Sequence, residues 1–317
     1  MLLPLVVLLV MIIFLYRRHR LSLILDNLSD RFVLITGCDS GFGKQLARQL
    51  DRRGMIVLAT CLTQNGAEDL KKEASSRLQT VILDISDTQS VSSVSTWVSG
   101  FVGDNGLWGL VNNAGIGMPG APNEWLTKKD FEGVINVNLL GPIDLTLRLL
   151  PLIRKSKGRI VNMSSIVGRV TICGGGYCIS KFGVEAFSDS LRRELRPFGL
   201  KVSIIEPGYF KTGLNDMQYM KNILKNIWTN LHPEIQYSYG QKYFEHYVSD
   251  MEKTFLSLCN TDLTPVTDCI EHALTAVHPK TRYSTGWDAK LFFIPLSYIP
   301  TLLSDYLLTQ TAPIPAH

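Results

Sequence analysis

The chain has 317 residues, 45% of them hydrophobic, and a net charge of +4. That length buries one large α/β core or two small ones, and the mild charge, without a basic block interleaved with aromatics, speaks against a nucleic-acid partner. The six cysteines at 38, 61, 173, 178, 259 and 269 form neither a CxxC pair nor a zinc spacing with histidines, so they read as reduced packing thiols and no metal site is expected.

Residues 1–16 carry no charge, and Arg17-Arg18-His19-Arg20 follow at once. Sixteen helical residues span about 24 Å, slightly short of a hydrocarbon core of about 30 Å. Snorkelling arginines and local thinning close that gap. A cleaved signal peptide needs a basic start and a small-residue cleavage site, whereas here the basic cluster comes after the apolar run. Residues 1–20 therefore read as an uncleaved membrane anchor with its basic flank. The positive-inside rule leans the following domain toward the cytosol.

From residue 30 onward, short β-branched runs alternate with helical stretches. Strands are expected at 32–36, 55–60, 81–84, 107–112, 160–164 and 202–206, with helices at 42–54, 91–102, 131–154 and 183–198. Apolar strands without alternation, separated by helices, predict a parallel sheet covered on both faces. The fold class is therefore α/β, a doubly wound parallel sheet forming one domain over 30–285. Residues 209–260 interrupt the rhythm with helical, Tyr-rich sequence and read as a substrate lid. Residues 283–286 close the sheet with a seventh strand. The extension 286–317 is apolar over 287–308 and broken by Pro295 and Pro300. A membrane-lying hairpin, a homodimer contact and burial against the core all fit it.

A glycine-rich turn, residues 36–43, follows the first strand. Gly37 permits the tight turn, Gly41 lets backbone approach a pyrophosphate, and Gly43 lets the helix pack on the sheet. Asp39, Ser40 and Phe42 complete it. The helix N-terminus beyond offers free N–H groups and a positive dipole end to phosphates. Asp39 disfavours a 2′-phosphate, and residues 60–63 carry no Arg or Lys, so NAD is expected rather than NADP. Lys44 is the nearest cation that could reverse this. Asp84 ends the third strand as either an adenine contact or a helix cap. Asn112, with Ala114 and Gly115 beyond it, closes the fourth strand at the edge where ligands bind in such sheets. Tyr177 and Lys181 stand four apart, hence on one helical face. An ammonium beside a phenol favours the phenolate, so Tyr177 is expected to titrate nearer neutral pH.

These elements in this order resemble the short-chain dehydrogenase/reductase superfamily over residues 30–285. The resemblance makes Asn138, Ser165, Tyr177 and Lys181 the catalytic set. It places Asn138 on a water that links to Lys181, Ser165 on the substrate oxygen, and Lys181 also on the nicotinamide ribose. Ser165 is chosen over Ser164 because Gly168 lies three residues beyond it. Pro207, Gly208 and Thr212 resemble the family's contact to the nicotinamide carboxamide. The phrases Ile-Thr-Gly-Cys-Asp-Ser-Gly-Phe-Gly, Ser-Asp-Ser-Leu-Arg-Arg-Glu and Trp-Asp-Ala-Lys-Leu-Phe-Phe-Ile-Pro look more specifically like the microsomal branch that oxidises retinols and 3α- or 17β-hydroxysteroids. That branch implies an NAD-dependent alcohol dehydrogenase of the endoplasmic reticulum membrane. Its substrate would be a lipophilic retinoid or steroid.

Overall fold

The computed structural model describes residues 2–213, 216–310 and 313–316. Its centre is a sheet of seven parallel strands in the order β3-β2-β1-β4-β5-β6-β7. The strands are β1 (Phe32–Ile35), β2 (Ile56–Cys61), β3 (Leu78–Ile82), β4 (Gly109–Asn112), β5 (Arg159–Met163), β6 (Lys201–Pro207) and β7 (Arg282–Thr285). Successive side chains of β1 point to opposite faces. Val33 and Ile35 join one core with Leu46 and Leu50 of α2 (Gly41–Arg52) and Ile270 and Leu274 of α11 (Thr264–Thr275). Leu34 joins the other, with Val94 of α4 (Thr88–Val102), Leu145 and Leu149 of α6 (Gly141–Lys155) and Leu191 of α7 (Gly176–Leu195). Burial on both faces explains the unbroken apolar strands.

The chain leaves β1 for β2 and β3, then returns to β4 on the other side of β1. That reversal opens a crevice beyond the carboxyl ends of β1 and β4, where doubly wound sheets bind ligands.

Element boundaries differ from expectation where tertiary register decides them. β3 lies earlier than 81–84, because its pairing with β2 runs from Val57 opposite Leu78 to Cys61 opposite Ile82. Asp84 is therefore outside the strand. The expected helix 131–154 is two, α5 (Lys128–Ile135) and α6, joined by a π turn at Asn136–Leu140. Pro142 has no N–H to give the Asn138 carbonyl, and the Gly141 N–H instead reaches back to Asn136. Helix α7 begins at Gly176 rather than 183, which carries Tyr177 and Lys181 on one helix.

Residues 209–260 form α8 (Met217–Asn230), α9 (Pro233–Tyr239) and α10 (Gln241–Leu258), closed at their base by a bridge between Phe210 and Asn260. Beyond β7, a π turn (Ala289–Phe293), one turn of α12 (Ile294–Leu296) and α13 (Thr301–Thr309) follow. Ala289, Phe293 and Leu296 are buried, whereas Leu291, Tyr298, Leu302 and Tyr306 stand in solvent.

Helix α1 (Leu2–Ser22) continues through the basic cluster, so its 21 residues rise about 31 Å rather than 24 Å. Its described apolar residues from Val6 to Tyr16 are all exposed. Its end is tied to the domain by His272 Nε2 against the Leu21 carbonyl at 2.7 Å and by Leu25 N–H donating to Thr275 O at 2.9 Å. The stretch Lys128–Lys155 is also long and apolar enough to cross a membrane by composition. It packs instead on the sheet, with Leu145, Leu149 and Ile153 fully buried.

Candidate active site

The glycine-rich turn is held by side-chain bonds to its backbone and packed so closely that its glycines leave no room for side chains. Thr36 Oγ1 accepts from Asn113 N and Ala114 N, each at 2.9 Å. Asn113 Nδ2 donates to Thr36 O at 2.8 Å and Gly37 O at 3.1 Å. A Cβ on Gly43 would strike the Gly37 carbonyl and the Asn113 amide, and one on Gly37 would strike Ala114. Gly37 and Gly41 both hold positive φ, +71° and +57°. Asn113, not among the expected cofactor-binding residues although it belongs to the Asn112–Gly115 motif, is thus the staple between the turn and β4. An Asn-Asn pair at a strand end was the available signal. Ser40 caps α2 without a side-chain hydrogen bond of its own. Thr212 faces Gly41, since a Cβ there would lie 3.4 Å from it. Phe42 turns inward instead, its ring edge-on to Phe210 at 5.8 Å. An open helix N-terminus under a glycine cradle fits a dinucleotide pyrophosphate.

Asp39 reaches across to the end of β2 and to the cap of α3 (Gln64–Lys72). Its carboxylate accepts from Leu62 N at 2.8 Å, Thr63 N at 2.9 Å and the Thr63 hydroxyl at 2.7 Å. Lys44 and Arg48, on α2 nearby, are both paired with Glu73, at 3.1 and 2.8 Å. Asp84 closes a local turn by accepting from Ser86 N and Ser86 Oγ at 2.9 and 2.6 Å. The helix-cap role offered for Asp84 belongs to Asp87, which accepts from Gln89 N.

Asn112 points into the sheet, donating to Thr146 Oγ1 at 2.9 Å and Asn162 Oδ1 at 2.8 Å, and so braces β4 against β5. Asn138 lies in the π turn, buried. Its amide donates to Ile116 O at 2.8 Å and Ser180 Oγ at 3.1 Å, while its oxygen accepts from Ile116 N at 2.8 Å. Gly115 abuts it, a Cβ there falling 3.2 Å from the Asn138 oxygen. Asn138 thus joins the loop after β4 to α7.

The two serines face different ways. Ser165 Oγ, which accepts from Val167 N at 3.3 Å, stands beside the Tyr177 phenol. Ser164 sits beneath α7, its hydroxyl 3.5 Å from the Lys181 carbonyl. Lys181 Nζ donates to Met163 O at 2.8 Å and lies 5.5 Å from the Tyr177 ring centroid. At the end of β6, Gly208 N–H donates to Thr285 O at 2.8 Å, and Asp288 Oδ2 accepts from Tyr209 N at 2.8 Å. The Asp288 carboxylate fills the space beside Gly208 that a side chain would need. Asp288 too escaped the sequence reading, because its partner lies 79 residues away.

The electrostatics reverse one expectation. Burial pushes the Tyr177 phenol up to about 12, and the Ser165 hydroxyl pulls only partly the other way. Burial likewise pulls the Lys181 ammonium down to about 8, opposed by the Glu185 charge. Desolvation outweighs the ammonium's influence, because Lys181 spends its short contact on a carbonyl rather than on the phenol.

Beside this polar group stands an apolar wall. Tyr209 meets Phe255 at 5.4 Å and Phe293 at 6.1 Å between ring centroids. Further out, Trp125 gathers Trp228 at 5.1 Å and Tyr239, Tyr243 and Tyr247 at 5.4 to 5.9 Å. Among the described residues no cluster of three or more His, Cys, Asp or Glu could hold a metal ion.

A profile of the short chain dehydrogenases matches residues 31–222. The chain is 57% identical to retinol dehydrogenase 16 of Mus musculus over 298 residues, 94% of each chain. It is 55% identical to the 17-beta-hydroxysteroid dehydrogenase type 6 of Bos taurus over 303 residues, 96% of this chain and 95% of that one. Among solved structures, a short-chain dehydrogenase from Streptomyces avermitilis superimposes with a TM-score of 0.69 at 26% identity, covering 87% of this chain and 96% of that one. A short-chain dehydrogenase/reductase from Burkholderia phymatum in complex with NAD shares the fold at 20% identity, with a TM-score of 0.69 over 90% of this chain and 98% of that one. The chain belongs to the short-chain dehydrogenase family and is an oxidoreductase acting on alcohols.

Proposed function

We propose that this enzyme oxidises a lipophilic alcohol, a retinol or a 3α- or 17β-hydroxysteroid, with NAD. The observation that carries this reading is the meeting of Ser165, Tyr177 and Lys181 next to an aromatic wall. When bound, NAD supplies the hydride acceptor. The turn 37–43 with Asp39 and Ser40, the loop Asn112–Gly115, Asp84, Lys181, and Pro207, Gly208 and Thr212 are the residues that would hold it. Ser165 holds the alcohol oxygen. Tyr177 takes the alcohol proton as general base. The Ser165 hydroxyl beside it favours the phenolate against the cost of burial. Lys181 adds positive charge beside the phenol, and Asn138 orders the π turn and α7 beneath it.

NAD rather than NADP follows from the charges at the end of β2. A 2′-phosphate there would face the Asp39 carboxylate, while Lys44 and Arg48 are engaged by Glu73. The competing reading, an NADP-dependent carbonyl reductase, needs one of those cations to leave Glu73.

Helix α1 reads as the membrane anchor, with the domain on the cytosolic face of the endoplasmic reticulum and Arg17, Arg18 and Arg20 at the boundary. A retinoid or steroid partitions into that bilayer, so a tethered enzyme samples it there. The exposed Leu291, Tyr298, Leu302 and Tyr306 offer a second lipid contact. A homodimer is the rival use of that face.

Membranes carrying the enzyme, assayed with NAD against all-trans-retinol, a 3α-hydroxysteroid and a 17β-hydroxysteroid, test the proposal. Alcohol-dependent NADH formation with at least one is expected. Activity confined to short polar alcohols would defeat it.

A further inference from the structure

Two thiols flank Tyr177, and the mechanism uses neither. Cys173 lies in the loop before α7, and Cys178 lies in the first turn of that helix. Their sulfurs are 3.6 Å apart, and Cys178 Sγ is also 3.4 Å from the Cys173 carbonyl. Cys178 is buried, whereas Cys173 is partly exposed, so a small solute reaches the couple from the Cys173 side.

We propose that Cys173 and Cys178 are a site of reversible oxidation by hydroperoxides, closing a disulfide across Tyr177 that switches the enzyme off. The chemistry of the couple fits this. The contact with the Cys173 thiol lowers Cys178 to about 6, hydrogen bonds from the backbone at Ile172, Cys173 and Cys178 add to that, and Cys173 is raised. The couple therefore carries one thiolate at neutral pH, the form that reacts with peroxide. Cys38, by contrast, is raised by burial and stays a thiol.

The reaction balances in two steps. The Cys178 thiolate attacks a peroxide oxygen. An S–O bond forms, the O–O bond breaks, and the leaving oxygen takes a proton from solvent as water or alcohol. The Cys173 sulfur then attacks the Cys178 sulfenic sulfur. An S–S bond forms, the S–O bond breaks, and hydroxide departs as water with the Cys173 proton. Two thiols lose two electrons and one hydroperoxide gains them.

Closure demands movement where the loop has little slack. A disulfide brings its sulfurs to about 2.05 Å. Between the two cysteines, Gly174 is packed against the Ala121 carbonyl, Gly175 N donates to Asn123 Oδ1 at 2.9 Å, and Gly176 abuts Val134. With the glycines pinned, the shift falls partly on the first turn of α7 and its Tyr177. A displacement near 1 Å at a reacting group costs on the order of 10²-fold in rate. The loss of activity rests on the reading of Tyr177 as the base; the bond itself does not.

The test uses full-length enzyme in membranes treated with hydrogen peroxide, then alkylated and digested for peptide mapping. A Cys173–Cys178 bond should appear in step with a fall in turnover on the order of 10²-fold, and dithiothreitol should reverse both. Cys173→Ala should keep its basal turnover and lose the dithiothreitol-reversible inactivation. The proposal is overturned if no such bond forms, if the bonded enzyme stays fully active, or if Cys173→Ala is inactivated and rescued like the wild type. Should Cys173→Ala fail to accumulate, the match between bond and activity in the wild type decides. A bond without inactivation tells against the switch, whereas an enzyme that never turns over alcohol tells against the function itself.

Discussion

The crevice at β1 and β4 and the wall formed by residues 209–260 with the C-terminal extension are built in opposite ways. In the crevice, glycine contacts and the Asn113 bonds allow one backbone geometry. In the wall, aromatic rings meet at varied angles, and α10 contains no fully buried residue. Rigid placement suits a cofactor whose shape never changes. A loosely packed apolar surface suits a substrate recognised mainly by its lack of polarity.

Changes in the rigid part should be costly and sharp. Tyr177→Phe removes the proposed proton acceptor but leaves the crevice intact. A fall in kcat of about 10³-fold is expected, with NAD still bound by fluorescence titration. Turnover near wild type would remove Tyr177 from the mechanism.

Asn113→Ala leaves the Thr36 and Gly37 carbonyls without their donor. A loss of about 1–3 kcal/mol is expected, read as a rise in KM for NAD of about tenfold or more with a smaller change in KM for the alcohol. Equal changes in both would mean that the staple supports the whole domain rather than the crevice.

Trp125→Ala tests the adaptable part. It should raise KM for a bulky alcohol about tenfold or less, leave the NAD KM unchanged, and make the 209–260 segment more sensitive to protease. A matching loss of NAD binding would erase the contrast between the two regions.

A further effect concerns stability against pH. Lys181 titrates at about 8 in the fold, against 10.5 ordinarily. Between those values the unfolded chain binds a proton that the folded one does not, so stability rises with pH across this window. Lys181→Met should flatten the rise in thermal midpoint from about pH 8 to pH 10.

The sheet, the glycine turn and the Tyr177–Lys181 spacing were legible because each depends on local sequence: apolar runs, positive φ, helical period. The π turn was not legible because the apolar pattern over 131–154 runs on without a break, and one proline near a helix start is also compatible with an ordinary α-helix. Asp288 and the stapling role of Asn113 escaped because their partners lie 76 to 79 residues away in sequence. The sense of the Tyr177 shift was misjudged for a related reason. Spacing reveals the nearby ammonium, but the burial that outweighs it belongs to the assembled core.

The central claim is that the rigid crevice accepts NAD and that the adjoining wall admits a lipophilic alcohol. The ratio of kcat/KM for NAD and NADP, measured with retinol or a hydroxysteroid on the membrane-bound enzyme, tests it most directly. With Asp39 at the end of β2 and Lys44 held by Glu73, the ratio should favour NAD by about tenfold or more and shrink in Asp39→Ser. A native preference for NADP, or a ratio indifferent to Asp39, would contradict the account.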